Sequence, residues 1–122
     1  MKIDFENIDS QNRKIIQKVT DDFFRNSKIS SKLEVSFHFL KTTEIKALNK
    51  KYRKKNIPTD VLSFPLWPDL KSIPPKGAIH LGDIFICPEI LAQNAQRYET
   101  SVDQEIEKII HHSLKHLIGK HH

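Results

Sequence analysis

Apolar positions along this chain follow strand and helix rhythms in turn. Ile3, Phe5 and Ile8 recur roughly as in a short strand. Asp9 and Ser10 are candidate N-caps, after which Ile15, Ile16, Val19 and Phe23 take helical spacing. Leu33, Val35, Phe37 and Phe39 alternate strictly with Glu34, Ser36 and His38, the pattern of a half-buried strand. Thr42 and Thr43 are candidate caps for a second helix whose inner positions are Ile45, Leu48 and Tyr52. Pro58 closes that region, and Val61 to Phe64 reads as a brief strand.

From Pro65 to Gly77 four prolines, a glycine and the single tryptophan mark a loop, long enough in so small a chain to suggest a functional one. His80 to Cys87 reads as a fourth strand, with Pro88 suited to open a helix that carries Ile90, Leu91 and Ala95 and ends near Tyr98. Thr100 and Ser101 can cap the last helix, and Asp103 and Glu105 suit its first turn, where the dipole favours negative charge. The order β-α-β-α-β-loop-β-α-α predicts an α+β fold, a four-stranded mixed sheet with helices packed on it. At 122 residues the chain is expected to form a single domain over 1–122.

Composition adds limits. Hydrophobic residues make up 38% and charged residues 29%, as in a soluble globular protein on the polar side. No run approaches the roughly 20 apolar residues of a bilayer span, and the start, MKIDFENID, lacks the apolar core of a signal peptide, so a cytoplasmic protein without a membrane partner is expected. Cys87 is the only cysteine, which excludes an intrachain disulfide and a cysteine-based zinc site. Any tightly held transition metal would rest on histidines and carboxylates. The net charge is +5, and much of the excess lies in KALNKKYRKKN, from Lys46 onward. A basic run of this kind is either a solvated helix face or a polyanion site. Its position relative to a reaction centre decides between them.

The candidate chemistry is at the end of the chain. His112, His116 and His122 stand at the spacing H-x3-H-x5-H, with Gly119 between the second and third. Residues four apart share a helix face, so His112 and His116 can point at one ion, and a glycine that takes positive φ lets the chain turn back to bring His122 as a third ligand. Three protein ligands leave one tetrahedral position open, the arrangement of catalytic zinc. In the last helix Val102, Ile106, Ile109, Ile110, Leu114 and Leu117 gather on an arc of about 140°, and His112 and His116 fall just off one edge of it. His111 points away from that arc, so helical phase selects His112. Zinc proteases with H-E-x-x-H-x-x-G-x-x-H share this spacing but use the glutamate after the first histidine as base. Here Ser113 holds that position, which disfavours peptide hydrolysis. A metal can still activate water or polarise a phosphoryl oxygen for other hydrolyses.

Three segments together resemble one family. Leu48-Asn-Lys-Lys-Tyr-Arg53-Lys-Lys-Asn-Ile-Pro-Thr59-Asp60-Val-Leu-Ser63-Phe64-Pro65, then Leu81-Gly-Asp83-Ile-Phe-Ile-Cys87, then the histidine segment, follow the order of the YbeY endoribonucleases, or rRNA maturation factors. The likeness spans nearly the whole chain, whose patterns are close to L-N-x-x-Y-R-x-x-x-x-P-T-D-V-L-S-F-P, L-G-D-I-x-I and H-G-x-L-H-L-x-G-Y-D-H. The resemblance implies a metal-dependent endoribonuclease that matures ribosomal RNA and takes part in ribosome quality control. It implies one Zn2+ per chain on His112, His116 and His122, with Arg53 in the same cleft. A guanidinium can grip two phosphate oxygens at once, so Arg53 would hold the scissile phosphate. Lys50, Lys51, Lys54 and Lys55 would hold single-stranded RNA through its backbone, and Asp60 and Ser63 would be hydrogen-bonding supports. Asp83 is expected to be structural.

The chain departs from the family pattern at Ser113 for glycine, Lys115 for leucine, and Lys120-His121 for Tyr-Asp. Family members also continue for some tens of residues past the last histidine, an extension this sequence does not show. Two other readings follow from the residues: an RNA- or ribosome-binding factor whose metal is structural or absent, and a metal-dependent hydrolase of another phosphoester.

Overall fold

The computed structural model of the chain describes residues 1–25 and 32–119. Strand β1 covers Lys2–Glu6, helix α1 Ser10–Phe24, strand β2 Lys32–Phe39 and helix α2 Thr42–Arg53. Strand β3 follows at Val61–Pro65 and strand β4 at Ala78–Ile86, then helices α3, Pro88–Arg97, and α4, Val102–Leu117. A single 3-10 turn, Leu70–Ser72, interrupts the loop between β3 and β4. The sheet order is β1-β2-β4-β3. β1, β2 and β4 run parallel, and β3 pairs antiparallel with β4 at the other edge. The expected α+β fold with a four-stranded mixed sheet is therefore observed.

Strand alternation decides what each face carries. Val35, Phe37, Ile84 and Ile86 are buried in one core with Ile16 of α1 and with Ile106, Ile110, Leu114 and Leu117 of α4. On the opposite face a smaller core joins Ile45 and Leu48 of α2 to Leu62, Phe64 and Phe85. That second cluster places α2 at the β3 edge. Elsewhere on this face β2 and β4 are polar: His38 Nε2 lies 3.0 Å from Asp83 Oδ1, and the His38 ring stacks on Phe85. Asp83 serves there, on the face away from α4.

The caps follow local chemistry with one change. Asp9 accepts from Asn12 N and Ser101 from Gln104 N, each fixing a helix start. Hydrogen bonds from the Asn12 side chain, then from its backbone, hold the Asp9 carboxyl below the usual carboxylate range. Neither Thr42 nor Thr43 caps α2. Lys41 precedes the helix, its N–H donating to Glu44 at 2.9 Å, while the Thr42 hydroxyl donates to Glu89. Two residues read as inner lie outside: Tyr52 is 56% and Val102 40% exposed. Both sit at helix ends; the Tyr52 ring still meets Phe64 edge-on at 5.4 Å, whereas Asn49, one turn back in α2, is buried.

Two glycines set α4 against the sheet. At Gly82, φ +151°, a Cβ would stand 2.3 Å from Phe64 O and 2.8 Å from Leu117 Cδ2. Only hydrogen lets the last turns of α4 come this near to β4. Gly119, φ +78°, ends the helix in the left-handed region, and a Cβ there would lie 2.6 Å from Asp69 Cα. The long loop therefore supports the C-terminal end of α4. Trp67 Nε1 donates to His80 O at 2.9 Å and ties that loop to β4.

Candidate active site

The edge strand β3 contacts both main groups, although Arg53 lines the smaller cleft beside Thr59 and not the one that His112 lines. Arg53, the last residue of α2, donates from Nη2 to Ser63 O at 2.9 Å, and its guanidinium lies 5.6 Å from the centre of the Phe64 ring. The Ser63 hydroxyl shares a hydrogen bond with His116 Nδ1. A single residue of β3 thus links the α2 arginine through its carbonyl to the α4 histidine through its side chain. The alternation of β3 explains this: Leu62 and Phe64 point into the α2 core, so Ser63 points towards α4.

His112 lies one turn before His116 on the same side of α4. It lines a cleft of about 820 Å³ whose walls include Asp60, Val61, Lys108, Ile109 and Lys115. Asp60 is half-buried and anchored: Thr59 Oγ1 donates to Oδ1 at 3.3 Å, Asn94 Nδ2 to Oδ2 at 3.4 Å, and its carbonyl accepts from Cys87 N. His111 also borders the cleft, but its ring meets Phe23 of α1 edge-on at 5.3 Å.

The lysines Lys50, Lys51, Lys54 and Lys55 are exposed at the C-terminal end of α2. Lys54 ends the helix with φ +58°, and Lys55 N closes the turn on Asn49 O at 3.3 Å. Among the described residues no group of three histidine, cysteine, aspartate or glutamate side chains is arranged to hold a metal. The expected third ligand, His122, lies outside the described residues, as do Lys120 and His121. Two imidazoles at helical spacing, one hydrogen-bonded to a hydroxyl, are by their chemistry a pair of donors of the kind zinc takes.

The chain matches the family model described as Endoribonuclease YbeY over residues 2–122. It belongs to the YbeY endoribonuclease family. Among curated YbeY relatives, the one from Malacoplasma penetrans is 32% identical over 108 residues, 88% of this chain and 69% of that protein. The relative from Alkaliphilus metalliredigens is 42% identical over 89 residues, 73% of this chain and 57% of its own. This YbeY family chain therefore spans between about half and three quarters of the relatives it matches. The solution structure of TM1509 from Thermotoga maritima shares the fold, with a TM-score of 0.67, 24% identity, and coverage of 96% of this chain and 72% of that one.

Two features of the cleft go beyond the sequence expectations. Lys115, whose charge near the histidines is readable from sequence, lines the cleft together with Lys108, four residues before His112, which helical spacing would have added to it. Thr59 lines this cleft and also a smaller one beside Arg53. That sharing depends on the turn after α2 and had no sequence signal.

Proposed function

We propose that this chain is a zinc-dependent endoribonuclease acting on single-stranded segments of ribosomal RNA during ribosome maturation. Family membership supports RNA as substrate. The observation that carries the site is the chain of hydrogen bonds Arg53–Ser63–His116 across the β3 edge. In this reading the phosphate-binding cation rests on the Ser63 carbonyl and the metal-binding imidazole on its hydroxyl.

In this reading His112, His116 and His122 hold one zinc ion. Bound there, zinc supplies Lewis-acid stabilisation of the phosphodiester and activation of water. Were His116 to give Nε2 to the metal, Nδ1 would carry the proton and donate to the Ser63 hydroxyl, which would fix tautomer and ring orientation. A guanidinium has several N–H donors, so Arg53 keeps its bond to Ser63 O and still reaches two phosphate oxygens. Held by the strand edge, it is preorganised toward charge growing on the phosphate, and the Phe64 ring backs its plane. Lys108 and Lys115 draw the polyanion along α4, and Lys50, Lys51, Lys54 and Lys55 draw it along the end of α2. Single strands fit this cleft because their backbone bends freely.

Ser63→Ala separates orientation from fold. It removes the hydroxyl and keeps the carbonyl that Arg53 needs. Zinc affinity is expected to fall about 10- to 100-fold, with RNA cleavage recovered by added zinc. Zinc titration followed by cleavage assays checks this, and unchanged affinity together with unchanged cleavage would overturn the site.

A further inference from the structure

Beside Arg53 lies a pocket of about 360 Å³ that shares Thr59, but not His112, with the α4 cleft. Arg53 and Lys55 supply its charge, while Ile57, Pro58 and Leu62 supply its apolar surface. We propose that this pocket seats one nucleotide of the RNA strand, the one adjoining the phosphate held by Arg53. The inference deepens the proposed function and rests on it.

Four observations lead there. The volume is at the small end of ligand pockets, which run to about 300–1,000 Å³, so it suits one nucleotide unit of a strand. Its surface divides as a nucleotide divides, with cations for phosphate and an aliphatic wall for a base face. Ile57 is 58% exposed, a large apolar side chain at the edge of a basic surface, where a base would cover it. Thr59 lines both this pocket and the α4 cleft, so a strand crossing Thr59 engages both at once.

The pocket is built from the motif that ends α2. Buried Asn49 donates from Nδ2 to Ile57 O at 2.9 Å, and its own carbonyl accepts from Lys55 N. Asn49 is thus a positioning residue, holding the turn that carries Lys55, Ile57 and Pro58. One of the two N–H donors of its amide is held by that wall. Contact through an aliphatic wall and a phosphate grip recognises a base in its place without selecting which base. The pocket therefore adds affinity and register and leaves base identity open.

The test uses a short single-stranded oligoribonucleotide whose cleavage site has been mapped with the unaltered chain, and copies lacking one base on either side of that site. Base loss on one side is expected to lower kcat/KM about tenfold, chiefly through KM, and base loss on the other side to matter less. Ile57→Ala should lower kcat/KM for the intact oligonucleotide by a similar factor and make the enzyme insensitive to that base. Because Ile57 is exposed, its melting temperature should match that of the unaltered chain, which separates lost contact from lost fold. Cleavage indifferent to base loss on both sides, or losses that multiply when base removal and Ile57→Ala are combined, would overturn the pocket while leaving the nuclease reading intact. If the unaltered chain with zinc neither cuts nor binds the oligonucleotide, the nuclease reading fails and takes this inference with it.

Discussion

Arg53→Ala is expected to lower the single-turnover rate of RNA cleavage about 10²- to 10³-fold while zinc content stays that of the unaltered chain. In the proposed site this reflects loss of the cation that would hold the phosphate. The side chain is exposed, and its bond to Ser63 O contributes about 1 kcal/mol of stability at most, so the variant should remain folded. Arg53→Lys should recover little, because an ammonium cannot keep the strand-edge bond and span two phosphate oxygens together. Cleavage within threefold of the unaltered chain would remove Arg53 from the chemistry.

Gly82→Ala is expected to be strongly destabilising. The new Cβ would overlap Phe64 O at 2.3 Å and press on Leu117, so β3 must part from β4 or α4 must lift. Overpacking against backbone should cost about 3 kcal/mol, a large share of a typical total of about 5–15. The melting temperature should fall by roughly 10–20 °C. Movement of Leu117 also displaces His116, its neighbour, so the folded fraction should bind zinc more weakly. Thermal melts by circular dichroism with zinc titration at low temperature check both effects. A melting point within 2 °C of the unaltered chain would mean that the close approach at Gly82 does not determine how α4 sits.

How much of this was legible follows from the range of the forces involved. Strand alternation and helical phase are local, so the apolar rhythms located the four strands and four α-helices among the described residues, while the 3-10 turn at Leu70–Ser72 fell inside what reads as loop. Tyr52 and Val102 were misread because periodicity cannot tell how much of a helix end the core covers. The Thr42 and Thr43 caps failed for a local reason: the helix begins one residue earlier than a threonine cap requires, and Glu44 satisfies the Lys41 N–H instead. The linkage Arg53–Ser63–His116 was not readable from spacing. It joins three elements whose members lie 10 and 53 residues apart, and only the antiparallel edge position of β3 brings them together. The pocket beside Arg53 depends on a left-handed turn at Lys54, a position with no glycine to announce it.

Gly119 shows the same division. Its use as a helix terminator could be expected from sequence, but its second constraint could not, because Asp69 reaches it from a distant loop. Residues with one local duty were readable, and residues with an added long-range duty were read in part.

The decisive measurement compares the unaltered chain with His116→Ala for zinc content and for cleavage of a single-stranded ribosomal RNA fragment, each with and without chelator. One zinc per chain, cleavage abolished by chelator and restored by zinc, and loss of both metal and cleavage in His116→Ala are the expected outcome. Equal cleavage by the two proteins, or cleavage that survives chelation, would show that this histidine site does not cut RNA.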